Sequence, residues 1–112
     1  MASLPIRRYW YQVTARGCVV HGPDCAAEVA HVAGRPSIVA RTKEPKAKGK
    51  KLAWLDWLVI PLCPYLHRWA PDALDMNPRL FESRYGSVAD MIDRQAAALG
   101  VDIWTLSQKG RK

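Results

Sequence analysis

The sequence predicts a small α+β domain, on three observations. At 112 residues the chain is long enough for one modest core and too short for two. Helical apolar periodicity appears near both ends, whereas the middle carries two apolar stretches that read as strands. Three cysteines and three histidines, several of them close together, offer a metal centre to supplement so small a core. A single domain over residues 1–112 follows.

The elements can be justified in chain order. Ile6, Tyr9, Trp10 and Val13 recur at helical spacing, so residues 6–15 form a short amphipathic helix closed by Gly17. Gly17-Cys18-Val19-Val20-His21-Gly22-Pro23-Asp24-Cys25 combines turn formers with metal ligands, as a zinc knuckle does, and Ala26 to Ala33 continues as a strand. Residues 34–51 mix Gly34, Pro36, Pro45 and Gly49 with seven cations, which predicts a mobile basic loop. Leu52 to Leu62 reads as a buried strand that ends at Pro61 and delivers Cys63, and a short helix from Pro64 to Trp69 then carries His67.

Asn77-Pro78 is a helix start, because the Asn side chain caps free amides and proline suits the first helical position. That helix runs to Tyr85 and stops at Gly86. Ser87 starts another, with Val88, Met91, Ile92 and Leu99 toward the core and Gly100 as its end. The tail from Ser107 to Lys112 is expected to fray.

Charge is unevenly spread. The net charge is +7, and residues 1–51 carry ten Lys or Arg against three acids, whereas residues 52–112 carry seven of each. A basic half of this kind can displace counterions from a phosphate backbone, which makes a nucleic acid one expected partner; a merely solubilising surface is the equal alternative. No apolar run approaches the roughly 20 residues needed to cross a bilayer, and the Met1–Arg8 start has no apolar stretch of signal-peptide length. No membrane partner and a cytoplasmic location are expected. An odd number of cysteines in such a chain argues against a disulfide framework and leaves metal ligation or burial. Trp54, Trp57 and Trp69 are expected in the core rather than stacked on bases.

The chemistry-bearing pieces come in three parts. Cys18-Val-Val-His21 followed by Gly22 is a closely spaced ligand pair on a tight turn. Ala30-His31-Val32 follows ten residues later, and Asp56-Trp-Leu-Val-Ile-Pro-Leu-Cys63-Pro-Tyr-Leu-His67-Arg68 supplies a second Cys and His. In this order they resemble the HNH nucleases of phages, in particular the Ref-like recombination-enhancement nucleases and a related uncharacterised phage family. The likeness continues through Ala70–Asp75 and Arg79–Gly86 and covers roughly residues 7–100.

The resemblance implies a ββα-metal, treble-clef-like core with flanking N- and C-terminal helices, and a DNA-hydrolysing function, with the host cell cytoplasm as the location. In it His31 is the general base toward a water, Asp56 lies near the orienting position, and His67 and Asp75 hold a catalytic Mg²⁺ or Mn²⁺ that stabilises charge on the scissile phosphate. Cys18, His21, Cys25 and Cys63 form a structural Zn²⁺ site. Arg35, Arg41, Lys43, Lys46, Lys48, Lys50 and Lys51 bind the nucleic acid. Three departures bear on this: His21 replaces a knuckle cysteine, Leu66 stands where a histidine is usual, and Asp75 replaces another histidine, although its oxygen still suits Mg²⁺ or Mn²⁺. The alternative function is a catalytically degenerate module of the same fold that binds DNA or a host or phage protein; for the cysteines, the alternative to a zinc site is burial as core or boundary residues.

Overall fold

A computed structural model describes residues 4–42 and 56–108. It is a small mixed α+β structure in which helices surround one two-stranded antiparallel sheet. Helix α1 (Leu4–Ala15) leads through the Cys18–Cys25 turn to β1 (Glu28–His31). Helix α2 (Pro36–Thr42) follows; then β2 (Val59–Leu62) runs into a π-helical turn, Tyr65–Trp69. Three helices complete the chain: α3 (Pro78–Tyr85), α4 (Val88–Leu99) and α5 (Ile103–Gln108). Among the described residues, no helix is long and apolar enough to cross a membrane.

The sheet pairs Glu28 with Leu62, Val29 with Pro61, Ala30 with Ile60 and His31 with Val59. Val32 N donates to Leu58 O at 3.0 Å and extends the pairing by one residue. Every residue of β2 is buried, because α1 covers the sheet and α4 packs against β2 as well. Proline is tolerated inside β2 because its missing N–H falls on the edge away from β1. That outer edge is filled: Pro61 O accepts from Val19 N at 2.8 Å and Val59 O accepts from Gln95 Nε2 at 2.9 Å.

Gln95 is a polar residue in the core, only 3% exposed. Its amide also donates to Tyr9 Oη at 2.8 Å, and that hydroxyl donates to Trp57 O at 2.9 Å, so one network ties α1, β2 and α4. Burial pushes the Tyr9 phenol above its ordinary range, with the Gln95 hydrogen bond acting against it. Ile6, Tyr9 and Val13 form the buried stripe of α1, and Val88, Met91 and Ile92 that of α4, as the spacing predicts. Phe81, Leu58, Ile60, Leu62, Leu66 and Leu74 fill the centre.

Local capping sets the helix ends. Asn77 accepts from Leu80 N and Ser87 from Asp90 N, while Gly100 closes α4 in the left-handed region at φ 65°. The Glu82 carboxylate accepts from Ser37 N at 3.1 Å and from Val88 N at 2.7 Å, placing one negative charge at the N-termini of both α2 and α4.

Several boundaries differ from expectation. Part of the predicted basic loop is helical: Pro36 begins α2, and Ile38, 2% exposed, anchors it in the core. The strands are shorter than residues 26–33 and 52–62. Residues 43–55 lie outside the described residues, with Lys43, Lys46, Lys48, Lys50, Lys51 and Trp54 among them. Ser107 belongs to α5 and is buried, so it is not part of a frayed tail; residues 109–112 lie outside the described residues. Trp57 is half-buried as expected, but Trp69 stands 69% exposed.

Candidate metal centre and histidine–carboxylate clusters

The turn after α1 is built to present ligands. Gly22 N donates to Cys18 O at 2.8 Å, Cys25 N to Gly22 O at 3.1 Å, and Cys18 N to Cys25 O at 2.9 Å, closing residues 18–25 on themselves. Gly17 is required at its base: its φ is +80°, and a Cβ there would sit 2.5 Å from Pro23 Cα. The Val19–Pro61 hydrogen bond then docks this turn on the outer edge of β2, and the strand hands over Cys63 one residue beyond its end.

Four donors converge as a result. His21 Nδ1 lies 3.8 Å from Cys18 Sγ, 3.7 Å from Cys25 Sγ and 3.6 Å from Cys63 Sγ, and all four ligand atoms fall within 4.8 Å of one another. Zn–S bonds of about 2.3 Å and Zn–N bonds of about 2.0 Å at tetrahedral angles require S···N separations of about 3.5 Å. The donor set therefore fits a tetrahedral ion, and the cluster can hold a metal such as zinc. Four protein donors would leave a tetrahedral ion no position for water, the pattern of structural sites rather than of catalytic ones. Cys18 and Cys63 are buried and His21 is exposed, so the centre lies at the boundary of the core.

The thiols differ. Desolvation and the neighbouring Cys63 and Cys18 push Cys25 up to about 11. Desolvation acts the same way on Cys18, but hydrogen bonds from Cys63, His21 and Val20 outweigh it and hold that thiol below its ordinary value. A metal must displace these protons, so binding weakens as pH falls.

His31 and Asp56 form a separate pair. His31 Nε2 lies 3.1 Å from Asp56 Oδ1, with the histidine side chain 50% exposed. Trp10 supports both: its indole N–H donates to Asp56 O at 2.9 Å, and its ring meets the imidazole edge-on at 5.7 Å. Helix α1 thus fixes the carboxylate segment beneath the end of β1.

His67 sits in a different cluster. Its Nδ1 lies 2.6 Å from Glu28 Oε1 and its Nε2 lies 3.3 Å from Asp75 Oδ2. Arg68 Nη2 reaches the same Glu28 carboxylate at 2.9 Å, and Arg35 pairs with Asp75. The 65–69 and 73–75 backbones run together through Leu74 N to Leu66 O and Asp75 N to His67 O, which brings Asp75 to the imidazole.

The expected catalytic set is thus divided in two. The structure brings His31 to Asp56 and His67 to Asp75. Glu28 and His31 stand at opposite ends of β1 and, three residues apart, their side chains leave on opposite faces of the sheet. His67 is on the Glu28 side. Among the described residues, the cysteine–histidine group is the one gathered tightly enough for one ion. Sequence reasoning missed Glu28; an acid opening a strand was its signal, but only the docking of the π-turn gives it meaning.

Two of the expected nucleic-acid contacts are described, and both carry carboxylate partners. Arg35 is paired with Asp75; Arg41 is paired with Asp93 and stacks 4.6 Å above the Trp104 ring. Comparison with protein-family models, with curated proteins and with solved structures yields no match.

Proposed function

We propose that the protein is a zinc-stabilised DNA-binding module on an HNH-like hairpin, in which the hydrolytic site of that class has become a structural ion-pair cluster. The observation that carries this is the state of His67: both ring nitrogens face carboxylates, and each carboxylate is already balanced by an arginine. With His31 on the other face of the sheet, water activation and phosphate charge neutralisation have no common centre. The net charge of +7 and the lysines at 43, 46, 48, 50 and 51 support a polyanionic partner. Purified zinc-loaded protein is expected to bind duplex DNA with steep salt dependence and to leave it uncut in Mg²⁺ or Mn²⁺. Metal-dependent cleavage lost in His67→Ala would overturn the reading.

A second reading, an HNH-type endonuclease, is favoured by one observation. His31 is half-exposed and its other ring nitrogen is held by Asp56, the arrangement of a general base oriented by a carboxylate. This reading requires Glu28, His67 and Asp75 to draw together around a Mg²⁺ or Mn²⁺ ion, through one nitrogen and two hard oxygens, and that ion to share a phosphate with His31 across the sheet. Cleavage in Mn²⁺ that disappears in His31→Ala and survives in Arg79→Gln would establish it.

A further inference from the structure

Next to the metal centre lies a cleft of about 330 Å³, between the Cys18–Cys25 turn, the outer edge of β2 and α4. Its lining has a distinct chemical division. Val19, Pro23, Pro61 and Met91 supply apolar surface, while Arg16 and Arg94 supply two guanidinium groups, and no acid lines it.

Among the arginines without an ion pair in the described residues, which include Arg7, Arg8 and Arg79, these two share one cleft. Arg35, Arg41, Arg68 and Arg84 are each tied to a carboxylate. Arg16 and Arg94 are exposed and make no ion pair among the described residues. They come from different elements, one just beyond α1 and one on α4, and the hydrogen bond of Val19 to Pro61 fixes the wall between them. A site lined by both cations and apolar surface suits a ligand that is anionic at one end and apolar at the other. The volume is at the lower end of the range for small-ligand sites, about 300 Å³, which suits one nucleotide rather than a longer segment.

We infer that this cleft binds a nucleotide unit, its phosphate held by Arg16 and Arg94 and its sugar and base lying on Val19, Pro23, Pro61 and Met91. The unit is either a free nucleoside monophosphate or one residue of a polynucleotide, and the second case rests on the DNA-binding reading above. Two guanidiniums suit a phosphate because each donates charge-assisted hydrogen bonds to its oxygens.

Calorimetric titration of the zinc-loaded full chain with thymidine 5′-monophosphate, thymidine and a 5′-phosphorylated thymidine oligonucleotide tests the assignment. The monophosphate is expected to saturate and thymidine to bind at least about tenfold more weakly, since a hydrogen bond to a charged group is lost. Arg16→Gln and Arg94→Gln should each weaken the monophosphate by about tenfold, with Arg94→Lys recovering part of it. Both positions are exposed, so unchanged zinc content and melting temperature verify that the variants are folded. Equal binding of thymidine and its monophosphate, or affinity unmoved by both glutamine variants, overturns the assignment. If duplex DNA still binds in that event, the DNA-binding reading stands without the cleft. If the monophosphate binds and no polynucleotide does, the cleft stands as a free-nucleotide site and the DNA-binding reading falls.

Discussion

The metal centre and the His67 cluster both flank the end of the hairpin where Glu28 faces Leu62, yet they reach electrical balance in different ways. Around His67, two carboxylates, two arginines and one imidazole neutralise one another, so the cluster is complete as it stands. Around His21, three sulfurs and one nitrogen neighbour one another, and none of them is ion-paired with an arginine among the described residues, so a cation would complete the group. Convergence of ligand-type side chains is therefore a poor guide by itself. What separates a metal centre from a salt-bridge network is whether opposite charge is already supplied by the protein.

The largest expected effect tests the first half of that contrast. Removing zinc with a chelator, or replacing Cys63 by Ser, should cost about 5 kcal/mol or more, because apparent zinc-binding energies in small domains are of this order or larger and contribute directly to folding. Metal analysis should give one zinc per chain before treatment and loss of the cooperative thermal transition after it. An unchanged melt at zero metal content would make the cysteines ordinary core residues.

Next in size is His67→Ala, which strips both carboxylates of one partner each while leaving their arginines. A loss of about 1 kcal/mol in urea unfolding is expected, since both carboxylates are about a third exposed and keep their arginines. Zinc content should not change. If His67→Ala instead releases zinc, the two regions are one energetic unit and the contrast fails.

Acid separates the regions further. Tyr85 and Arg84 hold the Asp72 carboxyl below the ordinary carboxylate range, the Tyr85 hydroxyl bond being the stronger cause. A depressed folded value means that this contribution is fully present above the usual Asp pKa of about 3.9 and is lost as pH falls through the lower folded value. The metal centre gives way earlier, since its thiols take up protons as zinc leaves. Titration from neutral pH should therefore show zinc release, followed with an indicator dye, before the step that Asp72→Asn removes. Coincident steps would contradict the order.

The smallest change in stability belongs to Asp56→Asn. Its pair with His31 is largely exposed, and such pairs contribute about 0–1 kcal/mol. Melting should hardly move. In the endonuclease reading the same substitution lowers the cleavage rate by about 10²-fold or more, the scale of general-base assistance, so stability and activity assays together decide what that carboxylate is for.

Legibility in the sequence followed the range of the interactions. The stops and starts at Asn77, Ser87 and Gly100 depend on neighbours a few residues away, and they could be read directly. The four metal ligands were also readable, since cysteine and histidine advertise their chemistry by type. Helix α2 was not: Pro36 reads as a breaker unless Ile38 is known to have a core to enter. Gln95 looks like a surface residue until Tyr9 and the Val59 carbonyl arrive from distant parts of the chain. The pairing of His67 with Glu28, 39 residues apart, is likewise a product of strand register and the π-turn. Division of His31 from His67 followed from the same register, which one residue of slip would reverse.

The hydrogen bond from Val19 to Pro61 has a consequence for self-association. A short, wholly apolar strand such as Val59-Ile60-Pro61-Leu62 invites another chain along any uncovered edge. Here the metal-binding turn lies over that edge like a guard, and the imino acid within it withholds one of the donors that an invading strand would use. Loosening of the Cys18–Cys25 turn would thus bare that edge to association, and a metal held by the four ligands would guard solubility as much as folding.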